Sequence, residues 1–398
     1  MSHFFHFWRE AVLLIAAAPL VYYLAAMIAA WRFFRAERSR VLPSHTPAVS
    51  VLKPVRGVDF ASYENYASFC RQEYPEYEIL FGVNDLDDPA VGVIKRVISD
   101  HPESKIKLLV GAQEIGANRK VNMLARLAEE ASFPILSLTD GDVRVGPHYL
   151  RDMAAFFTEK DTGAVTCFYR GIADKNLWAE IEAIGASSDL FGGVLVANWM
   201  EGITFGLGAS ITTTKGWVEK IGGFASIADL LADDYELGNR IAKNGGRVKL
   251  SRETVWTMYP AQTAGSFWEH QVRWARTVRL CRPASYVGLL LTHGLPWAVL
   301  AAAVAPARWI GVAYLGAYFV LRMAMAWTVG VWGVGDDVLR RRLWLVPLRD
   351  AIQFVIWLAS FVSNRVVWGG VEYRIKEGRM FAAEAAIPRA EAGGSRHR

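Results

Sequence analysis

The sequence predicts an α/β fold with a Rossmann-like, mostly parallel sheet, joined to transmembrane helices. Short apolar strands alternate with helical segments between about residues 40 and 280, an alternation typical of parallel sheets that carry helices on both faces. Hydrophobic residues make up 53% of the 398-residue chain, and the excess lies towards both ends. Such a composition exceeds that of an ordinary soluble protein and favours a membrane protein.

The first apolar segment, Ala11–Trp31, carries no charge and is long enough to cross a bilayer as a helix. Its basic cluster, the four arginines between residues 32 and 40, follows the apolar run. A secretory signal peptide carries its basic residues before the apolar run, so we expect an anchor instead. Because basic residues favour the cytoplasmic side, residues 1–40 are predicted to be an N-terminal transmembrane anchor that leads into the cytoplasm.

The middle part, residues 41–282, is expected to be one cytoplasmic domain. Its predicted strands are Val49–Lys53, Glu78–Val83, Ile106–Val110, Phe133–Leu138 and Gly163–Phe168, and its predicted helices are Ser62–Gln72, Ala90–Ser99, Val121–Ala131, Tyr149–Phe157 and Leu231–Asn244. A further helix is expected over Ala209–Gly223, with a glycine stop at its end. The segment between residues 176 and 209 is aromatic and has no clear period.

Three further apolar segments predict that residues 283–375 form transmembrane or interfacial helices. An arginine deep in a membrane is costly, so Arg322 should contact protein, water or a lipid headgroup. Basic residues flank the last segment on both sides, which favours a re-entrant or interfacial hairpin in residues 343–371 over one full crossing. The tail over residues 376–398 is expected to be disordered. The three segments are Pro283–Ala307, Trp309–Gly335 and Leu343–Val371.

The net charge of +5 does not indicate nucleic-acid binding, because much of the basic excess flanks the apolar segments, where arginine favours anionic lipid. The three cysteines, Cys70, Cys167 and Cys281, have no metal-ligand spacing. An odd and sparse set of this kind favours a reducing compartment over a disulfide framework.

Two carboxylates, Asp140 and Asp142, follow the strand Phe133–Leu138 and point the same way, because side chains alternate along an extended chain. Gly141 between them leaves the backbone open to close approach. Such a pair suits a hard divalent cation that completes its shell with substrate phosphates, although a turn with solvated aspartates remains the alternative. Asp85 also follows a strand, and parallel sheets bind ligands beyond the carboxyl ends of their strands.

Six short motifs of the middle part keep the order found in the ceramide glucosyltransferase family, and the chain resembles that family from about residue 48 to 282. Each motif is weak alone, but six in order are specific. The resemblance implies a GT-A fold and the inverting glycosyltransferase class whose signature is D, DxD, D, QxxRW. The motifs are VLKPVRGVD at Val51–Asp59, FGVNDLDDP at Phe81–Pro89, GANRKVNML at Gly116–Leu124, SLTDGDVRV at Ser137–Val145, Ala232–Tyr235 and Arg273-Trp274.

The resemblance also implies a role for each matching residue. On the donor side, Lys53, Pro54, Arg56 and Lys120 would border the nucleotide, Asp85 would bind the uracil or ribose edge, Asn118 and Asn122 would shape the loop, and Asp140 and Asp142 would hold Mg²⁺ or Mn²⁺ on the diphosphate. On the reacting side, Asp234 would be the general base, and Arg273 and Trp274 would close over the diphosphate and the acceptor. Asp233, in the first turn of its helix, is expected to complement the helix dipole.

Two positions depart from the family pattern. Animal ceramide enzymes typically lack the second aspartate of DxD, so the presence of Asp142 moves the chain towards bacterial members and a multi-pass protein of the bacterial inner membrane. His270 occupies the place of the motif glutamine and Gln271 stands one residue late, so either of them could take its role.

These observations predict an inverting transferase that moves a hexose from a UDP-sugar to a lipid hydroxyl, with UDP-glucose and ceramide as the leading pair. The alternatives are N-acetylglucosamine transfer to a hopanoid polyol lipid, a processive polysaccharide synthase, and a non-catalytic membrane scaffold. The membrane part looks too small for a polymer channel. The scaffold alternative requires that the aspartates are only solvated turn residues.

Overall fold

The computed structural model describes residues 2–39, 46–368, 371–376 and 378–382, with side chains described from His6 onwards. Its first part is an eight-stranded sheet flanked by helices. The strands are β1 Val49–Pro54, β2 Tyr77–Val83, β3 Ile106–Val110, β4 Ile135–Thr139, β5 Val143–Arg144, β6 Thr162–Ala173, β7 Ser210–Thr214 and β8 Arg247–Tyr259. The helices up to the end of this part are α1 Ser2–Arg38, α2 Ser62–Cys70, α3 Ala90–Asp100, α4 Arg119–Glu130, α5 Tyr149–Ala154, α6 Leu177–Gly185, α7 Phe191–Met200, α8 Lys215–Lys220, α9 Asp233–Lys243 and α10 Ala264–Cys281.

The sheet has the order β3-β2-β1-β4-β7-β6-β8-β5. Strands β1 to β4 pair in parallel, as do β6 and β8, whereas β7 runs antiparallel to both of its neighbours and β5 runs antiparallel to β8. The mostly parallel α/β fold is therefore confirmed. Because β1, β2 and β4 are parallel, their carboxyl ends meet at one edge, and the loops that follow them are brought together.

The prediction of a helix over Ala209–Gly223 is wrong for the first half of that segment. Ser210–Thr214 form strand β7, and only Lys215–Lys220 are helical. The reason lies in the sequence SITTT, because β-branched side chains lose rotamer freedom in a helix and pack well on a sheet. The strand is buried between β4 and β6, so tertiary pairing decided the outcome.

The membrane part begins with α1 and continues after α10. Among the described residues, three helical stretches are long and apolar enough to cross a membrane: His6–Arg38, Arg308–Val334 and Asp337–Ser360. A fourth crossing is formed if the pair Pro283–Thr292 and Gly294–Val304, bent by 52°, counts as one span. Its helices are α11 Pro283–Gly288, α12 Gly294–Val304, α13 Arg308–Ala326, α14 Asp337–Arg342 and α15 Val346–Ser360, and the π-helical segments Ala186–Leu190 and Trp327–Val334 extend α6 and α13.

The membrane part is bent at one pair of its described helices. A re-entrant or interfacial hairpin was expected in residues 343–371; among the described residues of this range, α15 belongs to one candidate span and the chain then enters a strand at Arg365. The bend falls at His293, between Thr292 and Gly294. There the hydroxyl of Tyr23 on α1 accepts a hydrogen bond from the Gly294 backbone N–H at 3.1 Å, which helps to satisfy a donor freed by the broken helix.

A second sheet of three antiparallel strands ends the described chain, in the order β11-β10-β9. Disorder was expected from residue 376 onwards, but Lys376 closes β10 and residues 379–382 form β11, while residues 383–398 lie outside the described part. The Met380 backbone N–H donates to the Asp229 carbonyl at 2.8 Å, which ties this sheet to the loop before α9. The strands are β9 Arg365–Trp368, β10 Val371–Lys376 and β11 Arg379–Ala382.

Arg322, on α13, is 2% exposed and contacts protein as expected. Its guanidinium donates to both carboxylate oxygens of Asp350 on α15, at 2.9 and 2.7 Å, and to the Ser188 carbonyl at 2.7 Å. The Tyr318 hydroxyl donates to the same carboxylate at 2.8 Å. This network joins α13, α15 and the π-helical segment after α6 inside the apolar bundle, where an uncompensated charge would be costly.

Replacing Asp350 with Asn should lower the free energy of unfolding by about 3 kcal/mol or more, because Arg322 would keep its charge without its partner. Denaturant unfolding in mild detergent measures this change. The control is Asp337→Asn, which removes an exposed partner of Arg340 at 3.2 Å and should cost less than about 1 kcal/mol. Equal changes in the free energy of unfolding would show that the buried pair stabilises the protein no more than the exposed one.

Candidate active site

A cavity of about 860 Å³ lies beyond the carboxyl ends of β1, β2 and β4, and most of the predicted site residues line it. Helices α9 and α10 and the C-terminal sheet close its other sides. The predicted residues that line the cavity are Pro54, Arg56, Lys120, Asp140, Asp142, Asp233, Asp234, His270, Arg273 and Trp274. The position is the one that the parallel topology favours for a ligand.

Lys53 was expected to border the nucleotide, but it lies behind the acidic loop. Its side chain is fully buried, and its ammonium donates to the carbonyls of Asp140 at 2.6 Å and Val143 at 3.1 Å. The ammonium also lies 4.4 Å from the centre of the Phe69 ring. Burial lowers the pKa of Lys53 to about 7, although the neighbouring aspartates oppose that shift. Lys53 therefore holds the shape of the loop that carries Asp140 and Asp142.

Asp85 was expected to contact the uracil or ribose, but it is exposed and does not line the cavity, whereas its neighbour Asn84 does. The carboxylate that shapes this edge is Asp88. It accepts hydrogen bonds from the backbone N–H groups of Gly57, at 2.9 and 3.0 Å, and of Ala90 at 2.9 Å. Asp88 thus joins the loops after β1 and β2. An acidic residue just ahead of a helix start was the sequence signal for this role.

Lys120 connects the two acidic segments of the cavity. Its ammonium lies 2.7 Å from the Asp140 carboxylate, on the loop after β4, and 3.0 Å from the Asp233 carboxylate, at the start of α9. Burial by itself lowers the pKa of Lys120, but these two carboxylates hold it well above its ordinary value. Asp233 therefore does more than complement a helix dipole. Asn118 supports the arrangement by capping α4 and donating to the Leu230 carbonyl at 2.8 Å.

The acidic pair fits a divalent cation that shares its shell with a ligand. Burial, and then the charge of Asp140, raise the pKa of Asp142 to about 7, so the loop concentrates negative charge that lacks full compensation. Within the described part of the chain, no group of three His, Cys, Asp or Glu side chains could hold a metal ion. A cation on Asp140 and Asp142 would therefore need further oxygens from a ligand, as Mg²⁺ commonly does with phosphates.

Asp234 lies next to Asp233 and faces the same cavity from the first turn of α9. Its carboxylate packs against Gly208, where an added Cβ would lie 2.7 Å from the carboxylate oxygen, so a side chain at residue 208 would push Asp234 away. Burial, and then the charge of Asp233, raise the pKa of Asp234 to about 6. A carboxylate with a raised pKa is a better proton acceptor than an ordinary aspartate.

The residues of α10 settle which side chain faces the cavity. Positions 270, 273 and 274 lie on one helix face, and His270, Arg273 and Trp274 all line the cavity. Gln271 points away, is 7% exposed, and accepts a hydrogen bond from Arg349 at 2.6 Å. Of the two residues that could stand for the motif glutamine, His270 is therefore the one that faces the cavity. Within the described residues no hydrogen bond or ion pair engages the Arg273 guanidinium, which leaves its donors for a ligand.

Sequence reasoning missed Glu182, a carboxylate of α6 that lines the cavity and is 5% exposed. It accepts hydrogen bonds from His270, from Gln262, and from Gln271 at 3.1 Å. Burial by itself raises the pKa of Glu182, but its donors, His270 first, bring it below its ordinary value. An acid flanked by Ile181 and Ala183 was the available signal, hidden in a segment that had no clear period.

The rest of the cavity wall is largely apolar. Arg282 borders it and is held in place, because its guanidinium donates to the Tyr235 hydroxyl and to the Thr204 hydroxyl, both at 2.9 Å. A cavity with a charged end and an apolar wall can bind a polar ligand and an apolar ligand next to each other. The apolar and aromatic lining residues include Leu190, Phe205, Leu207, Met258, Val278, Trp368, Val371 and Tyr373.

Fold and site together define a glycosyltransferase of the GT-A class. The model of glycosyl transferase family 21 matches residues 11–381, and the chain belongs to that family. Among solved structures, a mannosyltransferase from Pyrobaculum calidifontis in complex with GDP-Man and Mn²⁺ has the same fold, with a TM-score of 0.51 and 16% sequence identity over 88% of this chain and 99% of that one.

Two curated relatives come from Caenorhabditis elegans. Ceramide glucosyltransferase 1 is 27% identical over 258 residues, which cover 64% of this chain and 55% of the relative. Ceramide glucosyltransferase 3 is 27% identical over 234 residues, which cover 58% of this chain and 51% of the relative. The chain thus spans about half the length of the curated relatives that it matches. Family membership and the candidate spans identify it as a membrane protein.

Proposed function

We propose that the protein is an inverting glycosyltransferase that moves glucose from UDP-glucose to the hydroxyl of ceramide. The observation that carries the proposal is the assembly of an acidic pair, a carboxylate of raised pKa and an unengaged arginine in one cavity with an apolar wall. The names of the curated relatives support ceramide as the acceptor and glucose as the sugar. They do not favour the hopanoid alternative.

The donor end of the cavity suits a nucleoside diphosphate. Asp140 and Asp142 would hold Mg²⁺ or Mn²⁺, and the Arg273 guanidinium, whose donors no described residue engages, can bind phosphate oxygens in a bidentate manner. When bound, the cation would stabilise the negative charge that develops on the diphosphate. Lys120 lies between Asp140 and Asp233 at the same end of the cavity, where its ammonium would add a positive charge beside the diphosphate.

The reaction is a single displacement at the anomeric carbon of the donor. The acceptor oxygen forms a bond to that carbon while the bond to the phosphate oxygen breaks, and the nucleoside diphosphate leaves with the electron pair. The acceptor proton passes to the Asp234 carboxylate. Arg273 stabilises the departing diphosphate. One displacement inverts the anomeric centre, so an α-linked donor gives a β-linked product.

The acceptor approaches along the apolar wall. This wall is formed by the segment that joins α7 to β7, by α10 and by the C-terminal sheet. Trp274 is 40% exposed and Val278 is 47% exposed, which leaves apolar surface for a lipid chain at this side. The arginines after the first span support a cytoplasmic position for residues 41–282, with the acceptor taken from the inner leaflet. We extend this to the inner membrane of a bacterium as part of the same proposal.

Incubation of the purified protein with a panel of UDP-sugars and a total lipid extract should give a glucosylated ceramide, detected by mass spectrometry. In membrane vesicles, UDP-glucose should be used only when the cytoplasmic face is outward, because the charged donor does not cross the bilayer. A product with another sugar or lipid would redefine the substrates. Equal use of donor by sealed vesicles of both orientations would contradict the topology.

Substitution of Asp140 or Asp142 by Asn should abolish transfer and weaken binding of UDP-glucose, because each change removes a charged ligand of the cation. Binding is measured by calorimetry with and without Mn²⁺, and folding by the unfolding midpoint. Asp161→Asn is the control, since Asp161 pairs with Arg247 at 2.9 Å outside the cavity and its replacement should leave both properties unchanged. Full activity of the Asp140 and Asp142 variants in the presence of a metal chelator would contradict the assignment of a metal site.

Replacing Asp234 with Asn should lower kcat by roughly 10²–10⁴-fold, the usual worth of general-base catalysis, and change the donor Kd little. The base must be ionised, so the wild-type rate should fall as the pH drops through about 6, and the variant should lose this dependence. Initial rates between pH 5 and 8 measure both effects, with the range set around the shifted pKa.

The matched control is Glu236→Gln, which removes a carboxylate from the same first turn but outside the cavity. The Glu236→Gln variant should keep the wild-type rate and the same fall in rate at acidic pH. Asp233→Asn should act differently, by weakening donor binding, since it removes a partner of Lys120. If the Asp233→Asn variant were inactive and the Asp234→Asn variant kept its activity, the base would be Asp233 and the assignment to Asp234 would be wrong.

A further inference from the structure

Glu182 has no part in the reaction described above, although it borders the same cavity. One of its carboxylate oxygens accepts from His270 Nδ1 and from Gln271 Nε2, and the other accepts from Gln262 Nε2. Both oxygens are therefore occupied by donors from α10 and from the loop that precedes it. Since its oxygens are used, Glu182 is poorly placed to contact a substrate itself, and its influence must pass through one of these partners.

His270 is the partner that reaches the substrate. Its Nδ1 faces the Glu182 carboxylate, which can only accept, so this nitrogen must carry the proton. In the neutral ring the other nitrogen, Nε2, then carries a lone pair. The ring also packs edge-on against Trp274, with 5.5 Å between centroids, and its side chain is 36% exposed. Both contacts fix the ring plane, and Nε2 is left as the nitrogen available to a ligand.

We propose that Glu182 is a positioning residue, which fixes the tautomer and orientation of His270 so that Nε2 accepts a hydrogen bond from a substrate hydroxyl. The proposal rests on the proposed function, because it assumes that hydroxyl-bearing substrates enter the cavity. A glutamine in the motif position would offer an amide that both donates and accepts, whereas His270 held in this way only accepts. The hydroxyl belongs either to the donor sugar or to the lipid acceptor.

A purely structural role for Glu182 makes a different prediction. Through Gln262 and Gln271 the carboxylate also holds the loop before α10 and the middle of that helix, and Gln271 is in turn bound by Arg349 at 2.6 Å. If that were its whole role, removal of its charge would have the same effect whichever side chain stood at position 270. The two roles are thus separated by whether the effect of Glu182 depends on His270.

The first test reads the tautomer directly and needs no substrate. The full-length protein, labelled with ¹⁵N in histidine and held in detergent, is studied by NMR, and the His270→Gln variant identifies the His270 signals. The wild-type protein should show the proton on Nδ1, and Glu182→Gln should shift His270 towards the other tautomer or a mixture. The control, Glu180→Gln, removes a carboxylate of the same helix that pairs with Arg342 at 2.9 Å and should leave the signals unchanged.

The second test is a double-mutant cycle in the transferase assay. Glu182→Gln should raise the KM of one substrate by roughly 10-fold, the effect of one lost hydrogen bond, with a smaller change in kcat. In the His270→Gln background, Glu182→Gln should raise the same KM by less than about 2-fold. A rise in the donor KM identifies the sugar hydroxyl, and a rise in the acceptor KM identifies the lipid hydroxyl. Unfolding midpoints exclude loss of the fold.

Equal costs of Glu182→Gln in both backgrounds would overturn the proposal in favour of the structural role. An unchanged His270 tautomer in Glu182→Gln would overturn it as well. A wild-type protein that transfers no sugar from any donor would instead refute the proposed function, and with it the hydroxyl contact. The NMR result would then still decide whether Glu182 sets the tautomer of His270.

Discussion

The arrangement of the site depends on the position of Lys120 between two acidic segments. The loop after β4 and the first turn of α9 both place carboxylates in the cavity, and like charges at this distance repel one another. The Lys120 ammonium reaches Asp140 at 2.7 Å and Asp233 at 3.0 Å, so one cation holds both segments. Asp142 and Asp234 lie outside these contacts, and burial beside like charges raises the pKa of each. Asp142, one of the two proposed cation ligands, and Asp234, the proposed proton acceptor, are thus the carboxylates that Lys120 leaves incompletely compensated.

A second constraint comes from the membrane side of the cavity. Helix α6 carries Glu182 and runs into a π-helical segment, whose Ser188 carbonyl accepts from the buried Arg322 at 2.7 Å. A π-helix leaves the ordinary backbone bonding pattern, and such turns are frequent at functional sites. Here the arginine of the membrane bundle donates to a carbonyl of that segment. The wall that bears Glu182 is thereby fixed to the same helices that anchor the protein.

Much of the fold could be predicted from local pattern, because β1 to β4 and the helices between them carry clear apolar periods and turn residues. The acidic loop was predictable for the same reason, since Asp140 and Asp142 follow a buried strand. The orientation of α10 was also within reach, because positions 270, 273 and 274 share a helix face whereas Gln271 does not. Strand β7 was predicted as a helix although its β-branched residues favour a strand, and the pairing with β4 and β6 that places it is long-range in sequence.

Long-range contacts explain the other residues that sequence reasoning placed wrongly or missed. Lys53 matches a nucleotide-site motif, yet the register of β1 directs its side chain into the core, where it binds the Asp140 carbonyl. Asp85 and Asp88 stand in one short acidic motif; the helix start favours Asp88 as the structural one, and the approach of the loop at Gly57 completes its contacts. Glu182 is recognisable as functional only after α10 has been placed against α6.

The C-terminal sheet shows why the site cannot be assigned to the middle part alone. Met380 binds the Asp229 carbonyl at 2.8 Å, and Leu231 packs with Tyr373 and Ile375 in one apolar cluster. These contacts hold the loop that leads directly into Asp233 and Asp234. On the other side, Arg276 of α10 donates to the Arg365 carbonyl at 2.6 Å, one turn beyond the face that carries Arg273. The same small sheet therefore braces the segment of the proposed base and the helix of the proposed phosphate ligand, which makes their spacing depend on residues that follow the candidate span Asp337–Ser360.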